Sequence, residues 1–487
     1  MNEQTVFLDK RRAYLLCVND TSESIKQIEH KGDPGKIQRI SIMHGDLEGL
    51  QGIEAYTILR ELELVDVPVD SLSGIESLPH LHVLKIRHTM IPSLKGIKDC
   101  ELLFRLQFSD DLINGDVNAF HVPLTRMKGL AGMPNLSDLQ IHTKETIKIE
   151  GLHDLPRLSR LSISNVQKIE GLNEVPRLSS LKLSRGISKI EGLEHLPRLA
   201  KLDLCDNNIT RIEGLDGLGN LKRLYLSSNP IVKIEGLEGL DQLYYLHLNH
   251  TEIKNIEGLN DLHRLQELTI RNANLRKIED LEYNIDIRVL YLEHSKIEKI
   301  EGLDCLSHLN DLNLGDNEIK KIEGLENQHE LERLVLDFNK IEVIESLESL
   351  ERLEVLSLSG NRIEKIDPII GPEFLDVLNL GRNEITRIEN LDSVPDVSRL
   401  CLSHNRITKV EGLESVPDVS RLDLSHNRIT KVEGLESLEL LYDIRLGGNP
   451  LPEKILERLD ERGGVLGGEG IEDFLTFCRE HQSRDPS

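Results

Sequence analysis

The sequence predicts an α/β repeat solenoid, an arc with a parallel sheet along its concave side and short 3₁₀-like turns along its convex side. Three observations predict it. A unit of 22 residues recurs through most of the 487-residue chain. Each unit contains one short alternation of apolar and polar residues. The apolar residues are mostly Leu and Ile, with no Trp and 3% aromatic residues, and so uniform a composition is typical of stacked, equivalent layers.

The repeat is clearest in the unit that begins at Leu221, which reads L-K-R-L-Y-L-S-S-N-P-I-V-K-I-E-G-L-E-G-L-D-Q. Nineteen copies align with it. They begin at Ile37, Leu59, Leu81, Leu103, Leu136, Leu158, Leu178, Leu199, Leu221, Leu243, Leu265, Ile287, Leu309, Leu331, Leu353, Leu375, Val397, Val419 and Leu441. An eroded twentieth copy is expected from Leu15, because Ile25 then opens the same I-x-x-I-E signature in register.

Each copy has the pattern of one strand and one tight turn. In L-x-x-L-x-L, the last two leucines alternate with polar residues, and this period of two predicts a strand with one buried face. The I-x-x-I-E-G-L stretch has helical spacing, but only about two turns fit before the next strand, so a 3₁₀-like turn is expected. The ninth position is Asn in nine copies, and its amide is expected to satisfy backbone groups where the strand ends.

Three segments are predicted along the chain. Residues 1–36 form an N-terminal cap with the eroded repeat, residues 37–450 form the solenoid, and residues 451–487 form a helical C-terminal cap. An insertion of eleven residues lies near 114–125, and it is interpreted as a surface loop or as a second contact point for a partner. The copies from Leu158 and Leu178 have 20 and 21 residues, so the N-terminal third is expected to be less regular.

The C-terminal cap is predicted because the ends of a solenoid would otherwise expose leucine core. Its apolar residues have helical spacing in two short stretches, which are joined by a glycine-rich link at 463–470 that is interpreted as a plain linker. The apolar residues of the two stretches are Ile455, Leu456, Leu459, Ile471, Phe474, Leu475 and Cys478.

Composition and motifs exclude several classes of function. A formal net charge of −25 argues against a nucleic-acid-binding protein and against a polybasic membrane-surface role. The six cysteines are scattered without a C-x-x-C pair, and neither a signal sequence nor an apolar membrane span is evident, so a cytoplasmic location is expected. No metal-ligand, nucleophile or phosphate-loop motif is found. A non-enzymatic monomer without a cofactor is therefore predicted.

The repeat closely resembles the 22-residue leucine-rich repeats of the protein phosphatase 1 regulatory subunit family, which also occur in bacterial internalins. The resemblance covers about residues 37–450 and implies a leucine-rich-repeat horseshoe. The phosphatase-regulatory relatives are intracellular and non-catalytic, so the resemblance implies a scaffold or regulatory subunit with a protein partner, a phosphatase by resemblance only. The alternative is an exported, adhesin-like repeat protein whose signal sequence is missing from this chain.

The candidate partner-binding residues occupy the third, fifth and seventh positions of the copies, which point outward from the strands, except for Tyr244, which flanks these positions. A basic stretch lies in the earlier half and comprises Lys85, Arg87, Arg105, Arg160, Lys182, Lys201 and Arg223. Four of the eight tyrosines follow it within four consecutive strands. Tyrosine and arginine are frequent in binding hot spots, although a solvated surface or chance clustering would give the same pattern, since tyrosine suits strands. The predicted residues are Tyr225, Tyr244, Tyr245, His247, Arg271, Tyr291, Glu293, Lys182, Lys201 and Arg223.

The two copies at 393–414 and 415–436 are identical except at Cys401 and Asp423. Such a recent duplication implies that lengthening was tolerated here. The C-terminal part of the face is therefore expected to be the less specific part.

Overall fold

The computed structural model describes residues 5–9, 14–18, 24–25, 33–110, 122–124, 127, 129–435, 437–466 and 468–482. The chain divides into two compact units. The first comprises residues 1–231 and 235–243, and the second comprises residues 232–234 and 244–487. The segment boundaries at 36/37 and 450/451 stay predictions. Most of the insertion at 114–125 lies outside the described residues.

The first unit contains an N-terminal hairpin followed by a parallel sheet. Strands β1 and β2 pair antiparallel, and each strand from β2 to β10 pairs in parallel with the next, ending at β11. Three-residue 3₁₀ helices lie at Pro34–Lys36, Ile53–Ala55, Ile75–Ser77 and Ile97–Asp99. The strands are β1 (Thr5–Asp9), β2 (Tyr14–Val18), β3 (Arg39–Met43), β4 (Glu61–Val65), β5 (Val83–Arg87), β6 (Arg105–Ser109), β7 (Asp138–His142), β8 (Arg160–Ser164), β9 (Ser180–Ser184), β10 (Lys201–Asp203) and β11 (Arg223–Tyr225).

The second unit repeats the same plan. Strands β12 to β21 pair in parallel, and the last strand, β22, pairs antiparallel with β21. A 3₁₀ helix lies at Leu391–Ser393, and two helices follow the repeats, α1 (Glu453–Leu456) and α2 (Gly468–Gln482). The strands are β12 (Tyr245–His247), β13 (Glu267–Thr269), β14 (Val289–Tyr291), β15 (Asp311–Asn313), β16 (Arg333–Val335), β17 (Val355–Ser357), β18 (Val377–Asn379), β19 (Arg399–Cys401), β20 (Arg421–Asp423), β21 (Asp443–Arg445) and β22 (Gly464–Leu466).

The predicted strand and turn of each copy are confirmed, because the aliphatic residues of the motif form the core. In the copy from Leu221, the side chains of Leu224, Leu226, Ile231 and Ile234 are completely buried. Burial of one such side chain contributes about 1.5–3 kcal/mol, and a layer obtains it only by stacking on its neighbours. The short copies are confirmed as well, since Arg160 pairs with Ser180 across 20 residues of chain.

The glycine of the motif adopts a left-handed backbone conformation. At Gly214 the φ angle is +66°, and a Cβ atom there would lie 2.3 Å from the carbonyl oxygen of Ile190 in the preceding copy. Three copies nevertheless carry Asp280, Ser346 and Asn390 at the equivalent position, with φ angles of 55°, 58° and 59°. The position therefore favours glycine without requiring it.

The ninth-position asparagines form a buried ladder that connects consecutive copies. At Asn207, the side-chain amide donates to the carbonyls of Leu183 and Leu204 at 2.8 and 2.9 Å. Its oxygen accepts from the backbone N–H groups of Gly186 and Ile187 at 3.1 and 2.9 Å. The predicted role of this position is thus confirmed. The members of the ladder are Asn207, Asn229, Asn317, Asn339, Asn361, Asn383, Asn405, Asn427 and Asn449, all buried.

The N-terminal copies differ from the rest in strand length. Strands β3 to β9 have five residues each, whereas β10 to β21 have three. The change coincides with the first asparagine of the ladder, Asn207. However, the copies with Thr251, Ala273 and Ser295 at the ninth position also have three-residue strands, so the asparagine alone does not set the length.

The register expected for the eroded N-terminal copy is wrong by three residues. Strand β2 does pair in parallel with β3, but Leu15 lies opposite Ile40, which is the fourth residue of its copy. Leu15 therefore occupies the fourth position rather than the first. The segment begins with a hairpin instead of a complete repeat. The position of β2 is therefore fixed by its pairing with β1 as well as with β3.

The C-terminal residues cover the last repeat, with two departures from expectation. Ile455, Ile471 and Phe474 are buried as expected, but Leu456 is 39% exposed. The glycine-rich link, interpreted as a plain linker, contains β22, which pairs with the edge strand β21. This pairing occupies backbone groups that would otherwise be open to another strand.

We predict that Asn207→Ala lowers the free energy of unfolding by about 3 kcal/mol, because the five backbone groups that hydrogen-bond to its side chain lose that partner. Asn208→Ala, a change in the neighbouring exposed asparagine, is expected to have little effect. Urea unfolding followed by circular dichroism measures both. Equal midpoints for the two variants would contradict the role assigned to the ladder.

Truncation after Leu451 is predicted to promote aggregation and to lower the unfolding midpoint. It removes β22 and α2 and uncovers Ile444 and Leu446, which are completely buried. Light scattering and urea titration test this, with Leu456→Ala as the control because that side chain is already partly exposed. A truncated protein that stays monomeric with an unchanged midpoint would show that these elements do not cap the solenoid.

Candidate protein-binding face

The candidate residues project from the strands onto the exposed side of the sheet, termed here the sheet face and defined by the third, fifth and seventh positions of each copy. They fall into both units. Lys182, Lys201, Arg223 and Tyr225 lie on β9 to β11 of the first unit. Tyr245, His247 and Tyr291 lie on β12 and β14 of the second, with Tyr244, Arg271 and Glu293 just outside the strand ends.

In the first unit, neighbouring strands bring the basic residues next to carboxylate and aromatic groups. Lys182 pairs across the strands with Asp203, and their charged groups are 3.3 Å apart. The ammonium of Lys201 lies 4.9 Å from the centre of the Tyr225 ring, a cation–π contact. Arg223 lies beside Lys201 in the strand register. The predicted basic residues are therefore partly compensated by their neighbours.

The same compensation applies to the rest of the basic stretch. The side chain of Lys85 forms an ion pair with Glu61 at 2.6 Å, and both Arg105 and Arg160 contact Asp138, at 3.0 and 2.9 Å. Asp138 is almost completely buried, so the two arginines neutralise a carboxylate that would be unstable alone. Electrostatic steering by this stretch is weaker than its sequence alone suggests.

In the second unit, the first strand carries tyrosine and histidine side chains on the sheet face. The rings of Tyr244 and Tyr245 meet edge to face, with centroids 4.8 Å apart. His247 Nε2 lies 2.7 Å from a carboxylate oxygen of Glu267 on the next strand. Such contacts fix the orientation of rings that are half-buried and half-exposed.

Tyr291 lies at the centre of a connected cluster of side chains on this face. The guanidinium of Arg271 lies 4.6 Å from the centre of the Tyr291 ring and forms an ion pair with Glu293 at 2.7 Å. The Tyr291 hydroxyl donates to Asp311 at 2.7 Å, and Asp311 in turn is 3.8 Å from Arg333. We call these five residues the Tyr291 cluster.

Burial and hydrogen bonding raise the pKa values of two residues in the Tyr291 cluster. Burial, reinforced by the hydrogen bond to the Asp311 carboxylate, raises the pKa of Tyr291 to about 12. Burial also raises the pKa of Glu293, against the opposing effect of Arg271. The tyrosine thus remains a neutral donor to Asp311 at physiological pH, and its ring is held in one orientation.

Sequence reasoning missed the acidic partners of His247 and Tyr291. Glu267 and Asp311 occupy outward positions on the next strand, each 20 residues further along the chain. The repeat length of 22 leads instead to Thr269 and Asn313. The signal available in the sequence is therefore a spacing of 20 between outward positions, two residues short of the repeat.

The described residues contain no candidate metal site. No group of three or more His, Cys, Asp or Glu side chains among them could hold a metal ion. The rings of His404 and His426 stack 4.1 Å apart, and the asparagines that follow them bind backbone groups of the ladder. In the part of the chain that the structure describes, no helix has the length and apolar character needed to cross a membrane.

Comparisons with known proteins agree with this fold. A family model described as leucine-rich repeats (2 copies) matches residues 197–240, 219–260 and 329–371. No protein of curated function has a significant sequence match to this chain. The chain is a leucine-rich-repeat protein, as its repeats and its solved structural neighbours both show; resemblance to the phosphatase regulatory subunits in particular stays a prediction.

Three solved structures illustrate the structural likeness. A leucine-rich-repeat protein of Leptospira interrogans is 20% identical with a TM-score of 0.59, covering 87% of this chain and 95% of its own. YopM of Yersinia enterocolitica is 22% identical with a TM-score of 0.58, covering 86% and 84%. TLR13, solved in complex with ssRNA13, is 17% identical with a TM-score of 0.65, covering 90% and 75%. At these identities the likeness concerns the fold alone.

We predict that the stability of the protein falls between pH 10 and 12 partly because of Tyr291. Its pKa is about 12 in the folded state against 10.0 for an ordinary tyrosine, so within this window the unfolded chain loses a proton that the folded chain keeps. The contribution is fully present below pH 10 and is lost as the pH rises toward 12. The urea midpoint of unfolding should decrease more from pH 9 to pH 11 for the wild type than for Tyr291→Phe. An equal fall in both proteins would contradict the shifted pKa.

Proposed function

We propose that this protein is a non-catalytic scaffold or regulatory subunit that holds a protein partner on its sheet face, with the Tyr291 cluster and Tyr245 as the principal contact. Leucine-rich-repeat proteins generally act as scaffolds for protein interactions, and their extended sheet faces are the usual binding surface. The proposal includes a monomeric, cytoplasmic protein, and it includes a phosphatase among the candidate partners because of the repeat resemblance.

The observation that carries the proposal is the fixed arrangement of aromatic and charged groups around Tyr291. Arg271, which is itself paired with Glu293, lies over the Tyr291 ring, and Asp311 accepts a hydrogen bond from its hydroxyl. Little side-chain freedom therefore remains to be lost when a partner binds. Tyrosine and arginine supply large contact areas in hot spots, which cluster near the centre of an interface. The rest of the face would then exclude water around this anchor.

A nucleic-acid partner is a weaker proposal. The complex of TLR13 with ssRNA13 shows that this class of fold accommodates RNA in that protein. In the present chain, the formal net charge of −25 opposes phosphate binding over long range. Several basic residues of the sheet face, Lys182 and Arg271 among them, in addition already contact carboxylates. A protein surface therefore fits the face better than a polyanion does.

Capture of the partner tests the proposal directly. A photo-crosslinking phenylalanine derivative placed at Tyr245 or Tyr291 should capture a protein from the native cell extract, whereas the same group at Tyr283 should not. Tyr283 is 50% exposed and lies outside the strands. Capture of one set of proteins from all three positions would count against a specific contact on the sheet face.

For the captured partner, Tyr245→Ala and Tyr291→Ala are each predicted to weaken binding by about 1–3 kcal/mol. Calorimetric titration measures the loss, and Tyr283→Ala serves as the matched control. Thermal unfolding should change little for Tyr245→Ala, because the side chain lies outside the leucine core. Normal binding by both sheet-face variants would place the contact elsewhere.

A further inference from the structure

The eighth residue of each copy follows the strand, and at Phe338 this position carries an unusual side chain. In fifteen copies the eighth residue is not glycine and has a φ angle between +48° and +65°. This left-handed conformation disfavours most side chains and is adopted most readily by Asn, Asp and His. The other fourteen residues are Asn, Asp, His, Ser or Arg. Phe338 is the one apolar residue among these fifteen, and it is 53% exposed.

Neither backbone conformation nor burial explains a phenylalanine at this position. Asparagine would adopt the φ angle of +52° found at Phe338 at a lower cost, and a ring that is half in water contributes only part of its burial energy. A residue that is unfavourable for the fold at an exposed position points to a function.

The next copy is adapted to the Phe338 ring. Its eighth residue is Gly360, where a Cβ atom would lie 2.5 Å from Cδ1 and 2.8 Å from Cε1 of the ring. The N–H group of Phe338 donates to the carbonyl of Ser359 at 2.7 Å, which fixes the two copies side by side. One side of the ring therefore rests on the following copy, and the rest of its surface is open to a partner.

Two carboxylates flank the ring, and neither contacts a lysine or an arginine. Asp337 precedes Phe338, and its Oδ1 accepts hydrogen bonds from the hydroxyl of Ser357 at 2.6 Å and from the N–H group of Ser359 at 2.7 Å. Among the described residues, no cation lies within ion-pair distance of Asp337. Burial accordingly raises the pKa of Asp337, against the effects of these hydrogen bonds and of Arg333.

Asp316 is the second carboxylate and occupies the eighth position of the preceding copy. Its N–H group donates to the carbonyl of Asp337 at 2.7 Å, so the two residues are neighbours. The carboxylate of Asp316 lies 2.7 Å from Nδ1 of His294, which is charged only when it is protonated. Asp316 and Asp337 thus lack the permanent countercharge that Arg271 provides for Glu293.

The cations nearest to this group in the repeat do not supply that countercharge. Arg333 faces Asp311 at 3.8 Å, and Lys340 pairs with Glu318 at 2.9 Å. Arg362 is exposed, but it lies in the following copy, two residues beyond Gly360, whereas Asp316 lies in the preceding copy. Four carboxylates therefore stand against three permanent cations, in a chain whose formal net charge is −25. The open side of the ring suits a positive group.

We propose that Phe338, Asp316 and Asp337 bind an arginine side chain from a basic segment of a protein partner. The planar guanidinium would stack on the exposed surface of the ring, a cation–π contact, and donate hydrogen bonds to the two carboxylates. This contact goes beyond the proposed function, because no residue of the Tyr291 cluster takes part in it. Its failure would leave the proposal for Tyr245 and Tyr291 untouched.

The chain offers matched variants for the ring and for the charge. Phe338→Asn removes the ring and introduces a residue that the fold already accepts at the eighth position, as at Asn272. Its control is Phe374→Asn, because Phe374 is 63% exposed and lies outside the strands. Asp337→Asn removes a charge but keeps an oxygen that accepts hydrogen bonds. Its control is Asp392→Asn, a change in an exposed aspartate of a 3₁₀ helix.

The experiment is a fluorescence anisotropy titration of the full chain with a labelled nonapeptide of alternating Arg and Ser residues. The same peptide with citrulline, a neutral analogue of arginine, is the comparison. We expect the Arg peptide to bind the wild type about ten-fold more tightly than the citrulline peptide. Phe338→Asn and Asp337→Asn should each weaken binding of the Arg peptide about five-fold, whereas Phe374→Asn and Asp392→Asn should not.

Thermal unfolding shows whether the variants remain folded. The melting temperature of Phe338→Asn should change little, because asparagine favours the left-handed backbone and so offsets the lost contacts of the ring. Equal binding of the Arg and citrulline peptides would overturn the proposal. So would equal affinities of Phe338→Asn and Phe374→Asn for the Arg peptide, or of Asp337→Asn and Asp392→Asn, since binding would then reflect only the net charge of the chain.

Discussion

The stacking of leucine and isoleucine layers on one another is the interaction on which the rest of this structure depends. One copy cannot bury residues such as Leu224 and Ile234 by itself, so the strand of each copy exists only because its neighbours cover it. Stacking also fixes the register of neighbouring strands. Hydrogen bonds such as those of Asn207 to the backbone then stabilise that register. The outward-facing residues are consequently regularly spaced, with neighbouring strands about 4.8 Å apart.

Most of the fold could be predicted from the sequence because this stacking has a strict period. The alternation around Leu224 and Leu226 indicates both the strand and its buried side, and no tertiary information is needed beyond the existence of neighbours. Prediction failed at the two ends, where the period stops. Leu15 is aligned by a hairpin that the repeat motif does not encode, and β22 forms in a glycine-rich segment whose composition does not favour a strand.

The candidate site was less predictable, for a related reason. The period of two shows that Tyr291 points outward, but its partner Asp311 is 20 residues away in sequence. In the sequence, Tyr291 stands beside residues of its own copy. In the structure, it contacts residues on the strands of adjacent copies. The net positive charge of the basic stretch was overestimated for the same reason. Glu61 and Asp138, which neutralise part of that charge, lie on neighbouring strands.

The compensation of charge between strands determines what kind of recognition the sheet face can offer. Around Tyr291, each charge already has a partner, so a ligand meets a rigid and nearly neutral surface, and its binding energy comes from contact area. In the first unit, Lys85 and Arg160 likewise contact carboxylates on neighbouring strands, so their charges stabilise the sheet before they can attract a partner.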